Sequence, residues 1–318
     1  MNTSPEFAIR TQNLSRKFNG TFAVQGVSFD IPRGKIFGFI GPSGCGKTTT
    51  VRLLMGIYRP TSGQMLVLGQ QPHHFSQPMR ARIGYMPQLF VLYQDLSIRE
   101  NLNFTASLYG VGLRRAKRLG QLLDFVELTD HKNKLVRNIS GGMQRRLSLA
   151  ATLVHQPELI FLDEPTAGVD PILRRKFWDY FRELQHEGRT LFVTTQYVGE
   201  AVYCDIVGIM VNGRLIAVDT PDRLRHRAFG GDVVNLRTAQ LLNSKRAELL
   251  HSLPFVRDQV IHTDLKSIRL VVDKARTAMP ALVDWCKEQD IAIESIEEYI
   301  PPFDDVFIKL VKGVPSHA

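Results

Sequence analysis

The sequence of 318 residues is poor in cysteine and has no long apolar run without charges. Its three cysteines, Cys45, Cys204 and Cys286, are far apart and lack the spacing of a metal site, which argues against a disulfide framework and favours a reducing cytosol. No stretch of about 18 uncharged apolar residues predicts a membrane-spanning helix. The first ten residues lack the basic and then apolar pattern of a signal peptide. These absences predict a soluble, intracellular protein.

The positive charge of the chain is unevenly distributed. The formal net charge is +9, yet residues 231–318 contain 11 basic and 13 acidic residues, so the positive excess lies in residues 1–230. Basic residues cluster at 114–118, 174–176 and 223–227. Such clusters can bind nucleic acid or an anionic membrane surface, or they can be solvated helix faces. Charge alone leaves these alternatives open.

A glycine-rich segment predicts the main functional site. Residues 41–48 have the spacing G-x4-G-K-S/T, between an apolar run at 36–40 and a helical pattern at 49–57. Backbone N–H groups of such a turn, together with the helix N-terminus, bind phosphate oxygens, and this context disfavours an ordinary helix cap. Lys47 would contact the β- and γ-phosphates of a nucleotide, and the Thr48 hydroxyl would bind Mg²⁺. The expected cofactor-binding residues of this segment are Gly41, Pro42, Ser43, Gly44, Cys45, Gly46, Lys47, Thr48 and Thr49.

The remaining patterns of the first 225 residues alternate between strand and helix. Strand patterns occur at 8–10, 21–24, 27–31, 65–68, 82–86, 159–162 and 191–194, and helical patterns at 98–128 and after 140. Strands that alternate with helices predict an α/β protein with a largely parallel sheet and helices on both faces.

Two further segments have the composition of metal or phosphate sites. Asp163 and Glu164 follow the apolar run 159–162, and a buried parallel strand would place them at its carboxyl end, where ligands of open α/β sheets bind. Asp163 can hold Mg²⁺, and Glu164 can accept a proton from an attacking water. Residues 140–142 would start a helix that Ser140 can cap, so they are either a second phosphate cradle or a simple N-cap.

The order of these motifs resembles that of the ATP-binding subunits of ABC transporters, over about residues 7–225. Residues 139–145 resemble the LSGGQ signature of that family, and residues 159–164 resemble its Walker B strand. Residues 167–170 resemble its D-loop, and residues 85–88 its Q-loop. The resemblance implies a P-loop NTPase fold with a parallel-sheet core, an antiparallel β subdomain and a helical subdomain at about 89–150.

The same resemblance implies roles for single residues. Glu164 would be the catalytic base, and Gln88, with nearby Gln94 as the alternative, would sense Mg²⁺ and the attacking water. Asp163 would bind Mg²⁺ together with Thr48 and Gln88. The other cofactor-binding residues would be Phe18, which stacks on adenine or else belongs to the core, and Ser140, Gly141, Gly142 and Asp170. In the family the signature faces the ATP of a partner subunit, which implies a head-to-tail dimer around two ATPs.

The last 88 residues predict a separate small α+β domain. The order of patterns over 231–318 is βαββαβ with a terminal helix, which suggests a ferredoxin-like module after a linker at 222–230. One helix is expected to start at Pro280, because proline suits the first helical position. A stripe around Phe303 and Phe307 is expected to be exposed and to need a covering surface. The module resembles the C-terminal extension of ATPases from bacterial drug and polysaccharide exporters.

These observations predict the ATPase subunit of an exporter. It would lie at the cytoplasmic face of the inner membrane, and a separate polytopic permease and a second ATPase subunit, identical or different, would be its partners. An importer ATPase shares every motif above, so it remains the main alternative. ABC proteins that act on nucleic acid have a coiled-coil insertion or tandem ATPase halves, which this chain lacks, and no nucleic-acid partner is expected.

One position departs from the family pattern. The family usually has a Thr-His pair after the strand at 191–194, whereas this chain has Thr195-Gln196. Gln196 can donate a hydrogen bond to phosphate or water but carries no charge near neutral pH. Gln196 is therefore expected either to replace the histidine in catalysis or to mark a slow site that works with a more active partner.

Overall fold

The chain divides into two compact units, Met1–Val218 and Asp219–Ala318. The first unit contains a mainly parallel sheet and an antiparallel sheet. The computed structural model describes residues 6–89, 91–112, 115–240, 249–262 and 266–313, with the backbone alone for 258–262. The strands up to residue 219 are β1 (Phe7–Phe18), β2 (Thr21–Pro32), β3 (Ile36–Ile40), β4 (Ser62–Val67), β5 (Ile83–Met86), β6 (Leu159–Asp163), β7 (Thr190–Thr195), β8 (Ile206–Val211) and β9 (Arg214–Asp219). The helices of this part are α1 (Lys47–Leu54), α2 (Gln77–Arg80), α3 (Ile98–Leu108), α4 (Ala116–Phe125), α5 (Gly141–Leu153) and α6 (Pro171–His186).

The main sheet has the strand order β5-β6-β7-β3-β8-β9, and its first five strands pair in parallel. Every residue of β3, β6 and β7 is buried, as expected for parallel strands covered on both faces. The register pairs Asp163 with Thr194 and Ile40 with Thr195, so the carboxyl ends of the three central strands lie together. The parallel core that the sequence predicts is confirmed.

A second, antiparallel sheet has the order β2-β1-β4 and packs on the first. Phe29 of β2 stacks on Phe37 of β3 with ring centroids 5.3 Å apart, and Phe37 lies 5.2 Å from Phe192 of β7. Such aromatic pairs contribute about 0.5–1.5 kcal/mol each beyond the area they bury. These contacts hold the hairpin β1–β2 against a face of the parallel sheet, at its central strands β3 and β7.

The helical pattern at 98–128 forms two helices rather than one. Ser97 starts α3 with a reciprocal cap: its hydroxyl accepts from the Glu100 N–H at 3.2 Å, and its own N–H donates to the Glu100 carboxylate at 2.7 Å. The helix ends at Leu108, and two residues later Gly110, whose φ of 67° favours glycine, redirects the chain. Among the described residues, no helix has the length and apolar character that crossing a membrane requires.

The second unit contains a four-stranded antiparallel sheet. Its strands are β10 (Asp232–Thr238), β11 (Val256–His262), β12 (Ser267–Val272) and β13 (Ile293–Tyr299), and its helices are α7 (Pro221–Phe229), α8 (Ala275–Glu288) and α9 (Phe303–Lys312). The order β11-β12-β10-β13 is that of a ferredoxin-like sheet, as the sequence predicts. Leu282 and Cys286 of α8 pack with Val234 and Leu270 of the sheet. Most of the helix predicted at 239–250 falls on residues 241–248, which lie outside the described residues.

Two local expectations for this unit are wrong. The segment 222–230, expected to be a linker, forms helix α7, because Thr220 caps it, Pro221 occupies its first turn and Gly230 ends it with a φ of 78°. Leu224 of α7 and Phe303 of α9 are both buried. Phe303 is therefore covered instead of being exposed, whereas Phe307 of the predicted stripe is only partly buried.

Helix α8 begins five residues before the expected start at Pro280. The carboxylate of Asp232, in β10, accepts a hydrogen bond from the Ala275 N–H at 2.9 Å. This contact satisfies a free N–H group at the start of α8. Pro280 lies inside α8, where it removes one backbone hydrogen bond.

Candidate active site

The glycine-rich turn between β3 and α1 lies close against backbone carbonyls. A Cβ on Gly46, whose φ is 110°, would lie 2.3 Å from the Ala23 carbonyl oxygen, and one on Gly41 would lie 2.1 Å from that of Met210. Only glycine therefore fits at these two positions without moving the backbone. The turn directs the N-terminus of α1 into a cleft lined by Ala23, Ser43, Gly44, Gly46, Lys47, Thr48, Thr49, Gln88 and Glu164.

Lys47 is the buried cation of this cleft. Its side chain is 4% exposed, and its ammonium donates to the carbonyl oxygens of Gly41 at 2.8 Å and Pro42 at 3.1 Å. The same ammonium lies 3.5 Å from a carboxylate oxygen of Glu164. These contacts hold a positive charge at the start of α1, where the helix dipole also favours an anion.

Asp163 is the last residue of β6 and accepts hydrogen bonds from two hydroxyl groups. Its Oδ1 accepts from the Thr48 hydroxyl at 3.1 Å and from the Thr194 hydroxyl at 2.6 Å. Its Oδ2 is buried and has no hydrogen-bond partner among the residues that the structure describes. A buried carboxylate oxygen of this kind is costly unless a donor or a cation binds it.

Glu164 lies beside Asp163 and faces both Lys47 and Gln88. Its backbone adopts a φ of 51°, in the left-handed region, and its N–H donates to the Thr194 hydroxyl at 3.0 Å. One carboxylate oxygen accepts from the Gln88 side-chain amide at 2.9 Å. The unusual backbone conformation directs this carboxylate into the cleft instead of along the strand.

Gln196, which follows β7, reaches the glycine-rich turn. Its side-chain carbonyl accepts from the Ser43 hydroxyl at 2.7 Å, so its amide N–H groups remain able to donate. The residues after it are held to α6, because the buried carboxylate of Glu200 lies 3.6 Å from the Arg174 guanidinium. Arg174 also lies over the ring of Tyr197 at 4.1 Å. This anchor fixes the segment that carries Gln196.

Phe18 does not line the cleft. Its ring is 37% exposed at the end of β1, and it contacts Tyr58 edge to face with centroids 5.3 Å apart. Ala23, in the paired strand β2, does line the cleft. Stacking of Phe18 on adenine stays a prediction.

Four other predicted residues lie at helix starts outside the cleft. The Ser140 hydroxyl caps α5 by accepting from the Met143 N–H at 3.3 Å, and Gly141 follows it. The Asp170 carboxylate caps α6 by accepting from two N–H groups at 2.9 and 3.0 Å. A Cβ on Gly142 would lie 2.8 Å from the Leu173 side chain of α6, so the starts of α5 and α6 are close together.

Sequence patterns do not indicate two residues that the structure places in this region, Thr194 and Arg145. Thr194 contacts both acidic residues, and its place at the carboxyl end of a strand next to β6 is the signal that would have indicated it. Arg145 of α5 donates to the backbone carbonyls of Gln88 at 2.9 Å and Ala167 at 3.2 Å. No spacing in the sequence indicates the contacts of Arg145, because they join three segments that are distant in the chain.

The thiol of Cys45 is buried in the glycine-rich turn. Cys45 is 4% exposed, and burial raises the pKa of its thiol above the usual value, although nearby Lys47 acts in the opposite direction. The thiolate is the reactive form of cysteine. Cys45 therefore fills space in the turn.

Comparisons with known proteins agree with this geometry. The family described as "ABC transporter" matches residues 24–167. The chain is 40% identical over 224 residues to the "Probable multidrug ABC transporter ATP-binding protein YbhF" of Escherichia coli (strain K12), covering 70% of this chain and 39% of that protein. It is 36% identical to the "Daunorubicin/doxorubicin resistance ATP-binding protein DrrA" of Streptomyces peucetius, covering 99% of this chain and 96% of that protein. This chain thus spans about two fifths of YbhF but nearly all of DrrA.

A solved structure described as "Structure of ATP binding subunit of ABC transporter" has the same fold. The superposition has a TM-score of 0.64 at 27% identity and covers 70% of this chain and 93% of the other.

Proposed function

The chain belongs to the family of ABC transporter ATP-binding proteins, and we propose that it is the ATP-binding and ATP-hydrolysing subunit of an exporter. One observation carries the proposal: Glu164 contacts both Lys47 and Gln88 in a single cleft beside the glycine-rich turn. A buried cation at a helix start suits phosphate, and the adjacent carboxylate suits a water that attacks it.

In this proposal the hydrolytic step depends on Glu164. A water attacks the γ-phosphorus, the bond to the β–γ bridging oxygen breaks, and Glu164 accepts the proton of the water. Gln88 orients the carboxylate through its hydrogen bond of 2.9 Å. Lys47 offsets the charge on the phosphate oxygens, and the amide of Gln196 donates to the γ-phosphate or to the water.

The residues around Asp163 fit Mg²⁺. Thr48 and Asp163 supply a hydroxyl and a carboxylate, which are oxygen ligands that Mg²⁺ prefers, and the unpartnered Oδ2 of Asp163 gives a buried position for a cation. Gln88 is the third proposed ligand. When bound, Mg²⁺ neutralises charge on the β- and γ-phosphate oxygens.

The exporter assignment rests on the second unit and on the relatives. The sequence match with DrrA, whose name describes it as a drug-resistance protein, covers 99% of this chain and so includes most of residues 231–318. The proposed partners are a polytopic permease and a second ATPase subunit, at the cytoplasmic face of the inner membrane. The starts of α5 and α6, with Ser140, Gly141, Gly142 and Asp170, would then face the ATP of the partner subunit.

Affinity purification from detergent-solubilised membranes tests this function. We expect the chain to co-purify with a polytopic membrane protein and to hydrolyse MgATP in that complex. Co-purification with nucleic acid in place of a membrane protein would contradict the transport role. Uptake rather than efflux of a substrate by vesicles that contain the complex would favour the importer alternative.

Gln196 is predicted to take part in hydrolysis. Gln196→Ala should lower the rate of ATP hydrolysis by the homodimer by about 100-fold, because it removes one polar group directed at the reacting phosphate. Gln196→His should keep the rate or raise it. Phosphate release gives the rates, and Gln121→Ala, on the exposed side of α4, is the control.

Two outcomes would change this assignment. Equal rates for the wild type and Gln196→Ala would exclude a role for the side chain. An inactive homodimer that gains activity with a second ATPase subunit would identify the site as the slow one of a pair.

A further inference from the structure

Arg145 connects helix α5 to the loops that hold the catalytic carboxylate. Its side chain is 7% exposed, so its charge is held inside the first unit. The guanidinium donates to the backbone carbonyl of Gln88 at 2.9 Å and to that of Ala167 at 3.2 Å. One planar group thus joins α5, the loop after β5 and the loop before α6.

The contact between Arg145 and Gln88 bears on Glu164, because Gln88 in turn contacts the Glu164 carboxylate. Gln88 donates its side-chain amide to Glu164 at 2.9 Å, so a shift of the Gln88 backbone moves the donor that orients the carboxylate. The contact with Ala167 holds the segment that leads to Asp170, the cap of α6. The close approach of Gly142 to Leu173 independently places the start of α5 against α6.

We propose that Arg145 is a positioning residue that couples the start of α5 to the alignment of Gln88 and Glu164 in the same chain. The inference rests on the proposed function, in which the start of α5 binds the ATP of the partner subunit. Movement of α5 on binding that ATP is transmitted through the guanidinium to Gln88. Hydrolysis at one site then depends on occupancy of the other.

The chain offers a matched control in Arg146, the next residue of the same helix. Its guanidinium also donates to two backbone carbonyls, those of Val126 at 3.1 Å and Glu127 at 3.2 Å. These carbonyls follow α4, away from Glu164. Replacing Arg146 therefore removes a similar structural contact without touching Gln88.

The test compares steady-state ATP hydrolysis of the full-length wild type, Arg145→Gln and Arg146→Gln. We expect Arg145→Gln to lower kcat by at least about tenfold, since small misplacements of catalytic groups have large effects. The Hill coefficient for ATP should fall from near 2 toward about 1, because two coupled sites become independent. The affinity of Arg145→Gln for ATP, measured without hydrolysis, should change less than about threefold. Arg146→Gln should keep the wild-type kcat and Hill coefficient. The melting temperatures of both variants should fall, because each loses buried hydrogen bonds.

Arg145→Lys keeps the buried charge if the glutamine variant folds poorly. Its ammonium lacks the planar fork, so we expect near-normal thermal melting with a lowered kcat and Hill coefficient. Equal kinetics for the wild type and both Arg145 variants, or equal kinetic losses for Arg145→Gln and Arg146→Gln, would overturn the inference. A wild type that hydrolyses ATP with a Hill coefficient of 1 would overturn the coupling alone, and a wild type without hydrolysis would overturn the proposed function as well.

Discussion

Glu164→Gln is expected to lower the rate of ATP hydrolysis by about 10²- to 10⁴-fold, the usual contribution of a general base. Glutamine has the same length and can still accept the hydrogen bond from Gln88, but it cannot take a proton from water. Lys47 keeps its contacts with the carbonyls of Gly41 and Pro42, so the phosphate cradle is preserved. Nucleotide should therefore still bind, and a dimer with unhydrolysed ATP should accumulate.

Phosphate release and analytical ultracentrifugation in MgATP measure the two effects. Glu158→Gln is the control, because Glu158 lies on the surface, where it pairs with Arg82 at 2.6 Å, away from the cleft. We expect this control to hydrolyse ATP at the wild-type rate. Wild-type turnover by Glu164→Gln, or a strictly monomeric variant in MgATP, would show that the role given to Glu164 is wrong.

Lys47→Ala is expected to weaken ATP binding by at least about 100-fold. Hydrogen bonds to charged groups contribute about 1.5–3 kcal/mol each, and about 1.4 kcal/mol corresponds to a factor of ten in affinity. Lys47 is the buried cation at the start of α1, and its loss leaves the carboxylate of Glu164 without its partner at 3.5 Å. Repulsion between that carboxylate and the phosphates adds to the loss.

Titration with a fluorescent ATP analogue measures the affinity, and circular dichroism checks that the variant folds. Lys35→Ala is a suitable control, since Lys35 is an exposed lysine just before β3, the strand that leads to the glycine-rich turn. A folded Lys47→Ala protein that binds ATP as tightly as Lys35→Ala would contradict the phosphate-binding role of the turn.

The sequence predicted the features that depend on neighbouring residues. The spacing of residues 41–48 predicted a turn between a strand and a helix, and the structure has β3 and α1 there. The apolar run at 159–162 predicted a buried parallel strand that ends near Asp163, and β6 ends at that residue. Such features follow from local sequence because strand burial and turn geometry are set within a few residues.

Features set by distant residues could not be predicted. The start of α8 depends on Asp232, 43 residues earlier in the chain, which caps Ala275. The bridge made by Arg145 joins residues that are 57 and 22 positions away. Arg225 of α7 lies over the Phe303 ring at 5.8 Å, but the basic residues and terminal glycine of α7 are typical of a linker when the sequence is considered alone.

The left-handed backbone of Glu164 has a consequence for the evolution and engineering of the protein. A non-glycine residue in this conformation costs on the order of 1–3 kcal/mol, whereas glycine adopts it freely. Glycine at position 164 should therefore relieve backbone strain, but in the proposed function it would remove the carboxylate that accepts the proton of the water. Under the proposed function, the cleft is thus a place where this fold gives up thermostability for activity, and stabilising substitutions should be sought elsewhere in the chain.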